Sequence, residues 1–327
     1  MAGGLISGQL LAQTPDRTDL NALGPLIWRE RLLVGFGTSL WIKAGHHNLD
    51  QLEAALTAAV QVIRSVERQM SLFDPDSALS RLNRTGMLHQ PDAPLRAVLN
   101  FSAQVSQRSG GAFDVSMQPL WRVWSEAAKA GSLPSHRLLQ RAQQRVNRRA
   151  VEVTASQVRL NQPGMQLSLN GIAQGYASDL VRTSLQAHGV RHALIDTGET
   201  SLLGEGPDAR SWAFDIESAA MAARTAGLQN TPPVLISDGR AMATSSDAHT
   251  VFSPDHRHHH ILNPTSGYSP QHWSSVTVIA DRCVMADALT KVFFMLPPSR
   301  VRAAARDWGV DVVMQDKNGQ WLSTRPS

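Results

Sequence analysis

Cysteine is almost missing from this 327-residue chain, Cys283 being the only one. That excludes an intramolecular disulfide, and a cysteine so far along the chain cannot act as an N-terminal lipoprotein anchor. Long apolar runs are missing as well: none reaches the roughly 18 consecutive apolar residues of a membrane-spanning helix. No internal repeat or low-complexity linker appears. The start, MAGGLISGQLLAQTPDRTDLN, is mildly apolar but has no basic region ahead of that stretch and no clear cleavage site. Residues 1–30 read as a loose leader. The chain then reads as cytoplasmic, or as periplasmic if a signal peptide has been trimmed or mis-started.

What is present is a slight basic excess, 31 Lys and Arg against 27 Asp and Glu. It concentrates only in HRLLQRAQQRVNRRA (136–150). That run has no interleaved aromatic residue, so it reads as a solvated helix face and not as a nucleic-acid patch. A hydrophobic content of 42% over this length suits a sizeable soluble core.

Periodicity supplies the elements. RLLVGFGTSLWIK (31–43) is β-branched, aromatic and glycine-punctuated, and reads as an opening strand. Leu52, Leu56, Ala59, Ile63, Val66 and Met70 recur at steps of four and three, which places them on one helix face. FDPDSALSRLN (73–83) is turn chemistry followed by a short helix that Asp76 or Ser77 could cap. A helix is expected over 94–108, a hairpin over 150–170, and a helix over 171–189 closed by Gly189. Strands are expected at HALIDTG, WAFDIES and SVTVIAD, helices at 284–296 and 299–308, and an edge strand at VDVVMQD. The mixture predicts an α+β fold, one domain with two lobes over 31–322 followed by a short tail (323–327). Its mixed or antiparallel sheets would be flanked by helices.

Four stretches could carry chemistry, each with a plainer reading. SGGAFDVS (109–116) permits close backbone approach to a ligand, or is simply a loop. LNGIAQGYASD (169–179) puts small residues at a helix start, where free N–H groups favour phosphate and where close helix packing would want the same glycines. DHRHHHILNPTSGY (255–268) is a histidine cluster, but adjacent histidines on an extended chain cannot all share one ion, and no paired Cys-His spacing accompanies them. In MADALTKVFFML (285–296), Met285, Leu289, Val292, Phe293 and Leu296 make a buried face and leave Asp287, Thr290 and Lys291 on the other. Asp287 and Lys291 then form an ordinary i, i+4 surface pair.

Taken together these stretches resemble the ApbE family, FAD:protein FMN transferases that cleave FAD and attach FMN to a threonine or serine of a target flavoprotein. The collinear blocks are MSLFDPDSALSRLN, GGAFDVSMQPLWRVW, LSLNGIAQGYASD, IDTGE, ATSSD, HILNPTSGYSP and VIADRCVMADALTKVFFML. The resemblance implies a flavin-contacting strand with Phe36 where a methionine is usual, and Phe73 where tyrosine is common. It implies that Ala112, Phe113 and Asp114 bind FAD, with Ile261 near the flavin and His260 assisting proton transfer from the acceptor hydroxyl. In the third block the family's acid and lysine are replaced by Ser168 and Gln174, and Gly171 stands where a backbone carbonyl reaches magnesium. In the last block Asp287 is kept as a metal ligand and catalytic group. Lys291 takes the place of the second ligand, a threonine, with Thr290 one residue early.

The expected reaction is therefore FMN transfer from FAD with release of AMP, at an altered metal site. An ammonium at Lys291 would repel Mg²⁺, which leaves three alternatives. Thr290 substitutes after a small helix rotation, Lys291 itself neutralises phosphate, or catalysis is lost. A flavin-storing or flavin-delivering protein and an FAD pyrophosphatase are the competing readings. The expected partners are FAD and an acceptor flavoprotein, with no nucleic acid and no membrane span.

Overall fold

The structure, a computed structural model, describes residues 24–216, 233–248 and 250–325. Most of the expected leader, the end of the WAFDIES stretch and the last two residues of the tail fall outside these. The opening strand is in fact a hairpin, β1 (Ile27–Gly35) and β2 (Thr38–His46), paired antiparallel. Phe36 and Gly37 form the turn, both with positive φ (51° and 80°), the geometry that matches the twist of the flanking strands. A phenylalanine in that region is costly. Here the backbone N–H of Phe36 donates to Glu67 Oε1 at 2.8 Å, while Arg64 bonds both Glu67 Oε2 (2.6 Å) and the carbonyl of Val34 (2.7 Å).

Glu67 and Arg64 belong to helix α1 (Leu49–Met70), which buries the six-residue stripe seen in the sequence and starts on an Asn48 cap. Next come α2 (Ala78–Thr85), β3 (Met87–His89), α3 (Ala93–Arg108), α4 (Gln118–Lys129) and α5 (His136–Gln143). Ser77, not Asp76, caps α2, its hydroxyl accepting the Ser80 N–H at 3.0 Å. The hairpin β4 (Val151–Val153) and β5 (Gln157–Leu160) leads to α6 (Ala173–Ala187), and then to β6 (His192–Asp196) and β7 (Thr200–Leu203). The chain continues through β8 (Ala213–Asp215), β9 (Val234–Ile236), β10 (Ala241–Ser246), β11 (Trp273–Ala280) and α7 (Cys283–Phe294). It closes with α8 (Pro298–Trp308), β12 (Asp311–Asp316) and β13 (Trp321–Ser323).

The main sheet has eight strands in the order β1-β2-β6-β7-β10-β11-β12-β13, beside a three-stranded sheet β3-β5-β4 and the pair β8-β9. The fold is α+β as expected, and the described strands pair antiparallel. VDVVMQD is not an edge: β13 folds back and pairs beyond β12, through a turn in which Gly319 takes φ 85°.

Helix α7 departs most from expectation. It packs between α6 and strands β10 and β11. Asp287 and Thr290 are fully buried, whereas Met285 and Leu296, assigned to the core, are only partly so. A helix apolar on most sides is a buried helix, and its few polar groups need partners on other elements. Asp179 of α6 supplies one set, accepting the N–H groups of Cys283 (2.7 Å) and Val284 (3.1 Å) at the first turn of α7. Because this carboxylate does the work of an N-cap, Asp179→Ala is expected to lower stability by about 1–2 kcal/mol. Urea denaturation followed by circular dichroism would read it.

Candidate functional site

The site forms where the start of α6 crosses α7. A Cβ on Gly175 would meet the carbonyl of Cys283 at 2.5 Å and Asp287 Cβ at 2.8 Å, so glycine is what lets the two helices approach. The freed backbone is used: Gly175 N–H donates to Asp287 Oδ2 at 3.0 Å. The other carboxylate oxygen, Oδ1, accepts from Lys291 Nζ at 2.6 Å, and the same ammonium bonds the Asp287 carbonyl at 3.1 Å. The pair is no surface decoration, since the Asp287 side chain is fully buried and that of Lys291 is 22% exposed. The aliphatic end of Lys291 lies against Gly171, where a Cβ would stand 3.0 Å from Lys291 Cε and 3.6 Å from Phe113 Cε2.

These residues do not fit a divalent cation. The ammonium occupies the open side of Asp287, and the remaining oxygen is committed to Gly175. The Thr290 hydroxyl is turned away, bonded to the Asp287 carbonyl at 2.7 Å and to Ser245 Oγ at 2.8 Å.

A carboxylate that the sequence did not single out completes the cluster. Glu199 is buried just before β7, with Oε2 accepting the Thr244 N–H at 2.9 Å. Burial, and after it the nearby Asp287 carboxylate, push the Glu199 carboxyl well above the usual carboxylate range, with Lys291 opposing the shift. The only sequence trace of it is an acid after the glycine of IDTGE, and its partners lie about 45 to 90 residues away.

Two cavities flank the cluster. One, of about 260 Å³, lies between the main sheet and the β8-β9 pair and is lined by Gly198, Glu199, Phe214, Met242, Thr244 and Thr277, among others. A smaller one of about 80 Å³ is lined by Phe36, Met70, Phe73, Asn170 and Gln174, among others. The Gln174 side-chain amide packs directly on Gly198, where a Cβ would collide with it, so this contact stands between the two cavities. Phe73 is 67% exposed and its ring lies against Gly37, so it forms a rim over the small cavity.

Other sequence-predicted residues are held elsewhere. Asp114 accepts from the N–H (2.8 Å) and hydroxyl (2.6 Å) of Ser116. Its carboxyl is raised by burial, with Ser116 and then Arg148 opposing. Ser168 N–H donates to the Val115 carbonyl at 2.8 Å, which pins the AFD loop to the segment leading into α6. Ala112 packs against the main core and Ile261 is buried in it. The three consecutive histidines go separate ways. His258 stacks on Trp124 (4.6 Å between centroids, 28° between planes), His259 is buried, and His260 has N–H and Nδ1 at 2.9 and 3.3 Å from the Thr250 carbonyl.

His259 carries a pH signature. Burial, reinforced by Lys317, lowers its pKa to about 3, and Nε2 lies 3.2 Å from the Pro270 carbonyl. The folded-state value lies below the unfolded one of about 6.5. The contribution to stability is therefore whole above pH 6.5 and is lost as pH falls from there toward 3, at a limiting slope of about 1.4 kcal/mol per unit. His259→Phe is expected to flatten this acid limb, as measured by denaturant midpoints across the range.

With this geometry in place, comparison with known proteins is informative. The ApbE family model matches residues 36–314. The FAD:protein FMN transferase of Treponema pallidum (strain Nichols) is 30% identical over 280 residues, 80% of this chain and 77% of that protein. The FAD:protein FMN transferase of Klebsiella pneumoniae (strain 342) is 27% identical over 302 residues, 89% of this chain and 90% of that one. The apo form of Pseudomonas stutzeri flavinyl transferase ApbE superposes with a TM-score of 0.79 at 25% identity, over 93% of this chain and 96% of that one. A match that spans the turn at Phe36, the crossing at Gly175 and Asp287, and the strands enclosing both cavities settles the lineage: the chain belongs to the ApbE family.

Proposed function

We propose that this protein is an FAD:protein FMN transferase whose site carries an ammonium group where the family pattern calls for a metal ion. The observation that supports this most is Lys291, held by Asp287 against Gly171 at the helix crossing, in a cluster whose Glu199 lines the larger cavity. FAD is a pyrophosphate with a ring system at each end. The two cavities suit the ends and the cation of the cluster suits the bridge, since a lysine is a point charge well matched to phosphate.

In the reaction so read, the hydroxyl oxygen of the acceptor threonine or serine bonds to the FMN-side phosphorus, and the bond from that phosphorus to the AMP oxygen breaks. AMP leaves, and the hydroxyl proton passes to His260. A carbonyl can only accept, so the Nδ1 contact with Thr250 makes Nδ1 the protonated nitrogen and Nε2 the basic one. Lys291 offsets the charge that grows on the leaving phosphate, and Asp287 sets its position. Phe113 and Gly171 form the wall beside it. Phe36, Phe73 and Gln174 hold one ring end, with Ala112, Asp114, Ser168 and Ile261 fixing the loops behind. The acceptor is a flavoprotein.

One incubation tests this: the protein with FAD and a flavoprotein domain carrying a flavinylation threonine, followed for covalent flavin fluorescence and free AMP. Covalent flavin with matching AMP is the expected result. The same Lys291–Asp287 pair favours a second reading, a flavin-delivery protein, because a lysine binds phosphate yet cannot orient two oxygens as an octahedral metal does. Intact FAD retained without AMP would support that reading, and AMP without covalent flavin would indicate a pyrophosphatase.

A further inference from the structure

Four arginines from distant parts of the sequence come together in a place that the flavin site does not use. A groove of about 620 Å³ lies where α2, α4 and the three-stranded sheet meet, lined by Arg84, Arg122, Arg145 and Arg159 and by no carboxylate. All four arginines are exposed. Arg122 reaches Glu126 at 3.3 Å and Gln166 at 3.1 Å. Arg84 donates to the Pro75 carbonyl (2.7 Å), and Arg159 lies 3.7 Å from Met87 Sδ. Arg145 lies over Gly164. Among the described residues, Arg84, Arg145 and Arg159 have no carboxylate partner.

The amide side chains around the groove are already committed. Asn83 exchanges two hydrogen bonds with the backbone of Leu167 (2.8 and 2.6 Å), and Gln162 bridges Asn147 and the Gln144 carbonyl. What the groove offers a ligand is therefore guanidinium, carried on separate elements around about 620 Å³ of space. A single phosphate would want convergence. A nucleic acid would want aromatic faces for its bases, and none lines the groove. An extended acidic peptide presents carboxylates on one side at about 7 Å intervals, each of which a guanidinium can take with bidentate geometry.

We propose that this groove docks an acidic segment of a partner protein. Resting on the transferase reading above, that partner is the acceptor flavoprotein, and the segment flanks its flavinylated residue. Gly171, beside Lys291, is five positions on from Gln166 in the groove, so the two backbones lie at most about 18 Å apart.

Fluorescence anisotropy of labelled decaglutamate, at low and physiological ionic strength, tests the proposal with the full-length protein. Binding that weakens with salt is expected, and the Arg145→Glu/Arg159→Glu variant should bind at least about tenfold more weakly. Both positions are exposed, and a circular-dichroism melt of the variant verifies its fold. Failure of the wild-type protein to bind, equal binding by the folded variant, or tighter binding of an oligothymidylate would each overturn it. FAD binding, read in parallel by flavin fluorescence quenching, is expected to be unchanged in the variant. A wild-type protein that binds decaglutamate but no FAD would remove the transferase reading and leave the groove standing.

Discussion

Asp287→Ala is expected to destabilise the protein by about 3 kcal/mol, the low end of what breaking a buried ion pair costs. The reasoning follows from what the carboxylate holds. Removing it strands the Lys291 ammonium in a helix crossing and leaves the Gly175 N–H without its acceptor. Most of that loss comes from the charge left behind, so Asp287→Ala/Lys291→Met should recover the greater part of it. Urea unfolding of the single and double variants measures both. A single-variant loss below about 1 kcal/mol would return the pair to the class of exposed ion pairs.

If Lys291 supplies the charge at the phosphate as proposed, Lys291→Thr should make AMP release depend on Mg²⁺ where the wild-type protein does not. In the wild-type protein, AMP release in the presence of acceptor is expected to proceed equally with EDTA and with excess Mg²⁺, because the cation at the phosphate is covalently part of the chain. The threonine variant loses that charge and frees the open side of Asp287. With EDTA its rate should fall on the order of a hundredfold, the usual penalty for removing one preorganised electrostatic partner of a transition state. Mg²⁺ should restore much of the rate. Equal dependence on Mg²⁺ in both proteins would mean that Lys291 plays no part at the phosphate.

The reach of sequence reasoning can be traced residue by residue. The α1 stripe was legible because one face of the helix, packed on α6 and the β1-β2 hairpin, imposes the 3.6-residue period on apolar positions. In α7 the same logic misled. With neighbours on several sides the period no longer separates inside from outside, and Asp287 and Thr290 are satisfied by Gly175 and Ser245, which lie far off in the chain. The hairpin at Phe36 was hidden because a phenylalanine gives no hint of a left-handed backbone that only Glu67 and Arg64 make tolerable. β12 read as an edge because the three-residue β13 is too short to show a pattern. At the site, motif order placed Gly171, Gln174, Asp287 and Lys291 together without any distance. Glu199 escaped because its importance lies in what burial does to it, a property of packing alone.

The clamp under the Phe36 turn ties the rim of the small cavity to the cooperative core. The N–H of Phe36 is held by Glu67 and the carbonyl of Val34, at the end of β1, by Arg64, and these two side chains stand next in sequence to the core residues Val66 and Ile63 of α1. Turn tips commonly open by themselves, exchanging their amides with solvent at little free-energy cost. This one is tied to the last turns of α1 through Glu67, so protection of the Phe36 amide in hydrogen exchange is expected to exceed that of a free turn tip, which would make the entrance to the cavity an extension of the helix and not a flap upon it.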